Sequence, residues 1–134
     1  MAAGKGFTII EILIVLIILS VLIAIAIPNY YNSIHNSRVR GVENNLRAIG
    51  AGEQKYSEDH SGAYYASAGG VVNDFSLINS NLSLTMASVN DGFNYTCAVT
   101  GACSANNPAV TSGLVNTVTV DANGNISCSP GTCP

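Results

Sequence analysis

Residues 7–27 read FTIIEILIVLIILSVLIAIAI, an apolar run that is interrupted only by Thr8, Glu11 and Ser20. At about 1.5 Å per residue the run would span about 30 Å as an α-helix, which is the thickness of the hydrocarbon core of a bilayer. A β-strand of the same composition would rarely exceed about ten residues. The run therefore predicts a membrane-spanning helix near the amino terminus.

The composition of the whole chain excludes several classes of protein. The 134 residues are 48% hydrophobic and only 10% charged, whereas an average soluble domain is about 25% charged. A chain of this length holds one modest core, which excludes a multidomain enzyme. Five Lys and Arg stand against eight Asp and Glu, so the basic excess of a nucleic-acid binder is missing and no direct nucleic-acid binding is expected.

Beyond Pro28 the chain becomes polar but keeps a rhythm of alternating four- and three-residue spacings. The positions are His35, Val39, Val42, Leu46, Ile49, Glu53 and Tyr56. This rhythm puts a mostly apolar stripe on one side of a continuing helix. Six polar residues lie off the stripe: Arg38, Arg40, Glu43, Asn44, Arg47 and Lys55. Residues 29–60 are therefore predicted to form an amphipathic helix that covers its own domain.

Residues 61–134 lose the helical periodicity and are rich in Gly, Ser, Asn and Thr. Short β-prone runs occur at 93–99 and 114–120, and the second leads into Asp121-Ala122-Asn123-Gly124. Asn-Gly tolerates the positive φ angles of a tight turn, which predicts a hairpin. The same stretch resembles part of a calcium loop, but one carboxylate without a downstream Glu is a poor calcium site. We expect a small antiparallel sheet with long loops.

Four cysteines lie in this distal region: Cys97, Cys103, Cys128 and Cys133. Their gaps of five and four residues do not match the C-x-x-C spacing of structural zinc sites, so disulfides are expected and no metal. Three pairings are possible. Because short loops close easily, we favour Cys97 with Cys103 and Cys128 with Cys133.

Three features near the amino terminus need a common explanation: Lys5, the Gly6-Phe7 junction, and Glu11 at the start of the apolar run. A carboxylate inside a membrane helix costs about 3 kcal/mol, so its presence suggests a role. In the interfacial first turn the cost falls, since the helix dipole favours an acid there.

Residues 6–32, which read GFTIIEILIVLIILSVLIAIAIPNYYN, resemble the amino-terminal signature of type IV pilins and of type II secretion pseudopilins. The resemblance implies that residues 1–6 are a prepilin leader. It also implies that a membrane aspartyl peptidase, the prepilin peptidase, cuts after Gly6 on the cytoplasmic side and then N-methylates Phe7. The family fold would be α+β, with a long amino-terminal helix packed on a small antiparallel β-sheet head.

The resemblance also assigns roles to individual residues. Glu11 would pair with the Phe7 ammonium of a neighbouring subunit during assembly, because a charge in an apolar filament core needs an opposite charge or a proton. Pairing within one chain, one helical turn away, is the alternative. Pro28 would break or kink the helix, since it lacks one backbone N–H. Residues 7–28 would form the membrane and assembly helix, and residues 61–134 the head. Many members have a single, wider carboxyl-terminal disulfide loop, so other cysteine pairings stay open.

The resulting hypothesis is a structural subunit without enzymatic activity or cofactor. Before assembly it would be anchored in the inner membrane. It would then polymerise with copies of itself into an extracellular type IV pilus on a bacterial cell surface. A platform protein and a cytoplasmic ATPase would drive this assembly. Adhesion, twitching motility and DNA uptake are the uses that the resemblance allows. The first alternative is a pseudopilin of a type II secretion system. A second alternative takes Ala24-Ile25-Ala26 as a signal-peptide cleavage site that releases a soluble exported domain.

Overall fold

Six regular elements follow one another along the chain in the computed structural model, which describes residues 6–66, 75–86, 92–110 and 113–134. They are α1 (Ile9–Asp59), α2 (Phe75–Asn81), β1 (Asn94–Cys97), β2 (Cys103–Asn106), β3 (Thr117–Val120) and β4 (Ile126–Ser129). Residues 1–5 of the expected leader lie outside the described residues. The chain divides into two compact units, an amino-terminal unit of residues 1–35 and a head unit of residues 36–134.

The apolar part of α1 is exposed along its whole length. From Ile9 to Ile27 every residue is exposed, and the only residues in this stretch that are not apolar are Glu11 and Ser20. This helix is long and apolar enough to cross a membrane. An apolar band of this size is stable only against lipid or other protein. The helix predicted from residues 7–27 is confirmed, although it begins at Ile9.

Helix α1 continues through Pro28 without interruption. The backbone is therefore helical on both sides of Pro28 and at it, and the kink at this residue stays a prediction. Proline removes one backbone hydrogen bond from the ladder, while long helical segments on both sides keep theirs.

The predicted stripe of α1 forms one wall of the head core. Val39, Val42, Leu46 and Ile49 are fully buried, while Arg38, Arg40, Asn44, Arg47 and Lys55 are exposed. The wall packs on buried side chains of α2, the sheet and its loops, namely Ile78, Leu82, Phe93, Tyr95, Cys97, Cys103, Ala105, Val115, Val118 and Val120. At Gly50 the helix lies so close to the sheet that an added Cβ would come within 3.2 Å of Val120.

The sheet is a simple antiparallel meander in the order β1-β2-β3-β4. Its register places Cys97 opposite Cys103 on β1 and β2, and Val120 opposite Ile126 on β3 and β4. Side chains on β1 and β3 alternate between half-buried and buried, as expected for a sheet with one face on a core. The α+β fold and the hairpin at residues 121–124 are both confirmed.

Two elements of the head are absent from the sequence-based prediction. Strand β2 reads CSAN and contains no β-branched or aromatic residue, so its propensity signal is weak. Helix α2 has only seven residues, too few to be stable alone. It is held by packing, since Ile78 is fully buried and the ring of Phe75 lies 5.1 Å from that of Tyr95.

Candidate functional site

The expected cleavage site lies in non-helical backbone immediately before α1. Gly6, Phe7 and Thr8 are exposed and outside regular structure, and the side chain of Phe7 is 84% exposed. A Cβ atom added to Gly6 would meet no atom within 4 Å among the residues from 6 onward that the structure describes. The fold itself therefore has room for a side chain at Gly6, and any requirement for glycine must come from a molecule that binds this segment.

Thr8 and Glu11 form a reciprocal cap at the start of α1. The backbone N–H of Thr8 donates to Oε2 of Glu11 at 2.8 Å, and the Thr8 hydroxyl donates to the same oxygen at 2.9 Å. In return, the Glu11 N–H donates to Oγ1 of Thr8 at 3.3 Å. This is a capping box, in which Thr8 is the N-cap residue and Glu11 the third residue of the helix.

The sequence interpretation placed Glu11 in the first turn but missed Thr8. The signal was present as Thr8-Ile9-Ile10-Glu11, a T-x-x-E pattern in front of an apolar run. The box explains why α1 starts at Ile9, since an N-cap residue has non-helical backbone angles. The carboxylate in the apolar run therefore has a local role in addition to any role in assembly.

Glu11 has no cationic partner among the residues that the structure describes. Thr8 occupies Oε2, and no hydrogen bond to Oε1 is found in this part of the chain. The pairing with Phe7 that the resemblance implies needs a free amine, whereas the nitrogen of Phe7 is part of a peptide bond in the uncut chain. Cleavage after Gly6 would create that positive charge one turn from the carboxylate.

The cysteines form two disulfides, Cys97–Cys103 and Cys128–Cys133. The first joins residues that are opposite each other on β1 and β2, and the second ties the carboxyl terminus back to β4. Each has a glutamate of α1 as a neighbour, Glu53 beside the first and Glu43 beside the second. Because all four sulfurs are bonded in pairs, neither cluster offers thiolate ligands to a metal in this state.

Asp121 stabilises the hairpin turn between β3 and β4. Its Oδ1 accepts hydrogen bonds from the backbone N–H groups of Asn123 and Asn125 at 2.9 and 2.8 Å. Its Oδ2 accepts one from the side chain of Asn125 at 2.8 Å. These bonds, led by that of the Asn125 side chain, lower the pKa of Asp121. The Asp121 carboxylate thus stabilises the turn, which agrees with the prediction of a hairpin.

Comparison with known proteins agrees with this geometry at the amino terminus. Residues 1–27 match the family model described as the prokaryotic N-terminal methylation motif. The chain thus carries a prepilin-type methylation motif, and the exposed apolar helix that follows fits a membrane-anchored precursor.

One relative shares more of the chain than this motif. Over 58 residues, 43% of this chain, the protein is 36% identical to the ComG operon protein 3 homolog of Bacillus licheniformis. The match spans 60% of the length of that relative. No solved structure matches the chain. Together with the α+β fold, these findings support a structural subunit of the pilin and pseudopilin type.

Proposed function

We propose that the chain is the precursor of a pilin that polymerises into an extracellular type IV pilus. The observation that carries the proposal is the first part of α1. Its residues from Ile9 to Ile27 are all exposed, include the Glu11 of the capping box and lie within a methylation motif. A helix with this apolar surface needs lipid before assembly and like helices afterwards.

The chemistry of the amino terminus supports assembly through this helix. Removal of residues 1–6 by the prepilin peptidase leaves a positive Phe7 amine, and N-methylation keeps that charge. In an apolar bundle a neighbouring ammonium is the favourable partner for Glu11, because an unpaired buried charge is costly. Oε1 of Glu11 is available for such a bond while Oε2 is held by Thr8.

The head would form the outer surface of the filament. Its two disulfides suit an oxidising environment outside the cytoplasm. The partners of the subunit would be copies of itself, the peptidase, and the platform protein and ATPase of the assembly machinery. Adhesion, twitching motility and DNA uptake are the functions open to such a filament.

A pseudopilin of a type II secretion system is the second candidate. The family match does not distinguish it from a pilin, because residues 1–27 belong to the segment that both classes share. A pilin forms long filaments on the cell surface, whereas a pseudopilin forms a short assembly in the cell envelope. Filament length therefore distinguishes the two.

The test is to shear the producing cells, image the released material and determine its intact mass and amino-terminal sequence. We expect long filaments of a chain that starts at N-methyl-Phe7 and retains 128 of the 134 residues. Without reduction, the mass should be lower by two hydrogens for each of the two disulfides. Processed protein that stays in the envelope would favour the pseudopilin. A chain that starts at Ile27 would overturn both candidates.

A further inference from the structure

The Thr8–Glu11 capping box lies directly after the bond that processing would cut. Helix α1 begins at Ile9, and Gly6, Phe7 and Thr8 remain non-helical. We propose that Thr8 is a positioning residue for this cleavage, because its cap keeps the Gly6–Phe7 bond outside the helix. The proposal rests on the proposed function, since it assumes cleavage after Gly6.

An uncapped helix in this segment would extend toward the amino terminus. In an apolar or interfacial environment, free backbone N–H groups at a helix start need hydrogen-bond acceptors. One more turn of helix would supply acceptors from the carbonyls of preceding residues. The capping box supplies two side-chain acceptors instead, Oε2 of Glu11 for the N–H of Thr8 and Oγ1 of Thr8 for the N–H of Glu11. The cap therefore fixes the helix start at Ile9.

Cleavage requires that the Gly6–Phe7 bond be accessible. Hydrolysis adds one water molecule across this amide, breaks the carbon–nitrogen bond and leaves a carboxylate on Gly6 and an ammonium on Phe7. In a helix the Gly6 carbonyl would bond to the N–H of Ile10, four residues later, and would be shielded from attack. Proteolysis is concentrated at exposed segments outside regular structure, and Phe7 is 84% exposed here.

Loss of the cap should weaken binding of the precursor to the peptidase and leave the chemical step of cleavage unchanged. Only chains with a non-helical Gly6–Phe7 bond can enter the peptidase, so the apparent affinity falls in proportion to their fraction. Loss of an N-cap changes such a helix-boundary equilibrium by a factor of about five. We therefore expect a Thr8 variant that cannot cap to raise KM by a factor of up to about five and to leave kcat unchanged.

The experiment uses the full-length precursor and purified prepilin peptidase in phospholipid vesicles, with cleavage followed by mass spectrometry. Thr8→Val keeps the shape of the side chain but removes the hydroxyl that caps the helix. Thr8→Ser keeps the hydroxyl, and Thr8→Asn is an efficient N-cap of a different shape. We expect Thr8→Val to raise KM, and both Thr8→Ser and Thr8→Asn to restore the wild-type value.

Each other outcome contradicts a specific part of the proposal. A wild-type KM for Thr8→Val would show that the cap does not position the bond. Rescue by Thr8→Ser but not by Thr8→Asn would show direct recognition of the hydroxyl by the peptidase, which also overturns the proposal. If the wild-type precursor is not cut after Gly6, the proposed function itself fails, and this result is separate from any effect of Thr8.

Discussion

The carboxylate of Glu53 holds the segment that follows α1 against the helix. Its Oε2 accepts a hydrogen bond from the backbone N–H of Tyr65 at 3.0 Å, and its Oε1 lies 3.6 Å from Sγ of Cys103. Only 1% of the residue is exposed. Burial raises the pKa of Glu53 above its ordinary value of 4.5, against the opposing effect of the Tyr65 hydrogen bond.

We predict that Glu53→Gln changes the pH dependence of head stability. A raised pKa means that the folded head binds a proton more tightly at Glu53 than the unfolded chain does. The resulting contribution to stability is complete below pH 4.5 and is lost as the pH rises through the folded-state pKa. Glutamine keeps an acceptor for Tyr65 but cannot ionise. The free energy of unfolding of the variant, relative to wild type, should therefore increase as the pH rises above 4.5.

The measurement is chemical denaturation of full-length protein in detergent at a series of pH values. The free energy of unfolding of Glu53→Gln, relative to wild type, should increase by about 1.4 kcal/mol for a rise of one in the pKa of Glu53. Asp121 does not interfere, because its lowered pKa gives a contribution that is present above its ordinary pKa of 3.8 and is lost in more acidic solution. If the free energy of unfolding of the variant follows that of wild type at every pH, the surroundings of Glu53 do not raise its pKa.

The position of Glu53 could be predicted from sequence, but its contacts could not. The alternating spacing placed it on the same stripe as Leu46 and Ile49, because helix periodicity depends only on nearby residues. Its bond to Tyr65 depends on how the chain turns after α1, which local patterning does not specify. Strand β2 has a weak propensity signal and helix α2 is too short to be stable without packing, so neither was predicted. The cap at Thr8 could have been predicted from sequence, because its T-x-x-E pattern involves only neighbouring residues.

We predict that Gly101→Ala destabilises the head by about 2 kcal/mol. Gly101 has a φ of +77°, which disfavours any residue with a Cβ. In addition, the new Cβ would lie 2.7 Å from the ring of Tyr64, so that ring would have to move. The two costs should add. Thermal unfolding of the full-length protein in detergent measures the effect.

Gly113→Ala is the matched control for this prediction. Gly113 has a φ of +97°, but an added Cβ would meet no atom of the described residues within 4 Å. The substitution Gly113→Ala should therefore lower the stability of the head only through backbone strain, by about 1 kcal/mol. Equal losses in the two variants would mean that Tyr64 does not pack on Gly101 as the structure shows.

We predict that Glu11→Val leaves membrane insertion intact and abolishes or severely reduces filament assembly. Valine is apolar, so the segment enters the bilayer at least as easily. The Phe7 ammonium of a neighbouring subunit would then have no carboxylate partner in the apolar bundle, which is costly. The measurement compares sheared filaments with the membrane-bound pool by immunoblotting.

Ser20→Val controls for the loss of a polar group from the same run. The Ser20 hydroxyl donates to the carbonyl of Ile17 at 2.7 Å, so it is satisfied within its own helix and no assembly defect is expected. Normal filament yield from Glu11→Val would refute pairing between subunits. A defect of equal size in both variants would show that assembly depends on polarity in general.

We predict that Gly6→Leu leaves an uncut precursor in the membrane without changing the fold. The described part of the chain has room for the new side chain, since none of its atoms lies within 4 Å of a Cβ at Gly6. The peptidase, in contrast, must bring its own backbone and catalytic carboxylates close to this residue, and a bulky group there would prevent that approach. Mass spectrometry of the membrane fraction should find Met1 retained, with the circular dichroism spectrum unchanged. Gly6→Ala adds a single methyl group and should be cut at an intermediate rate, whereas rapid processing of Gly6→Leu would show that the expected peptidase does not recognise this junction.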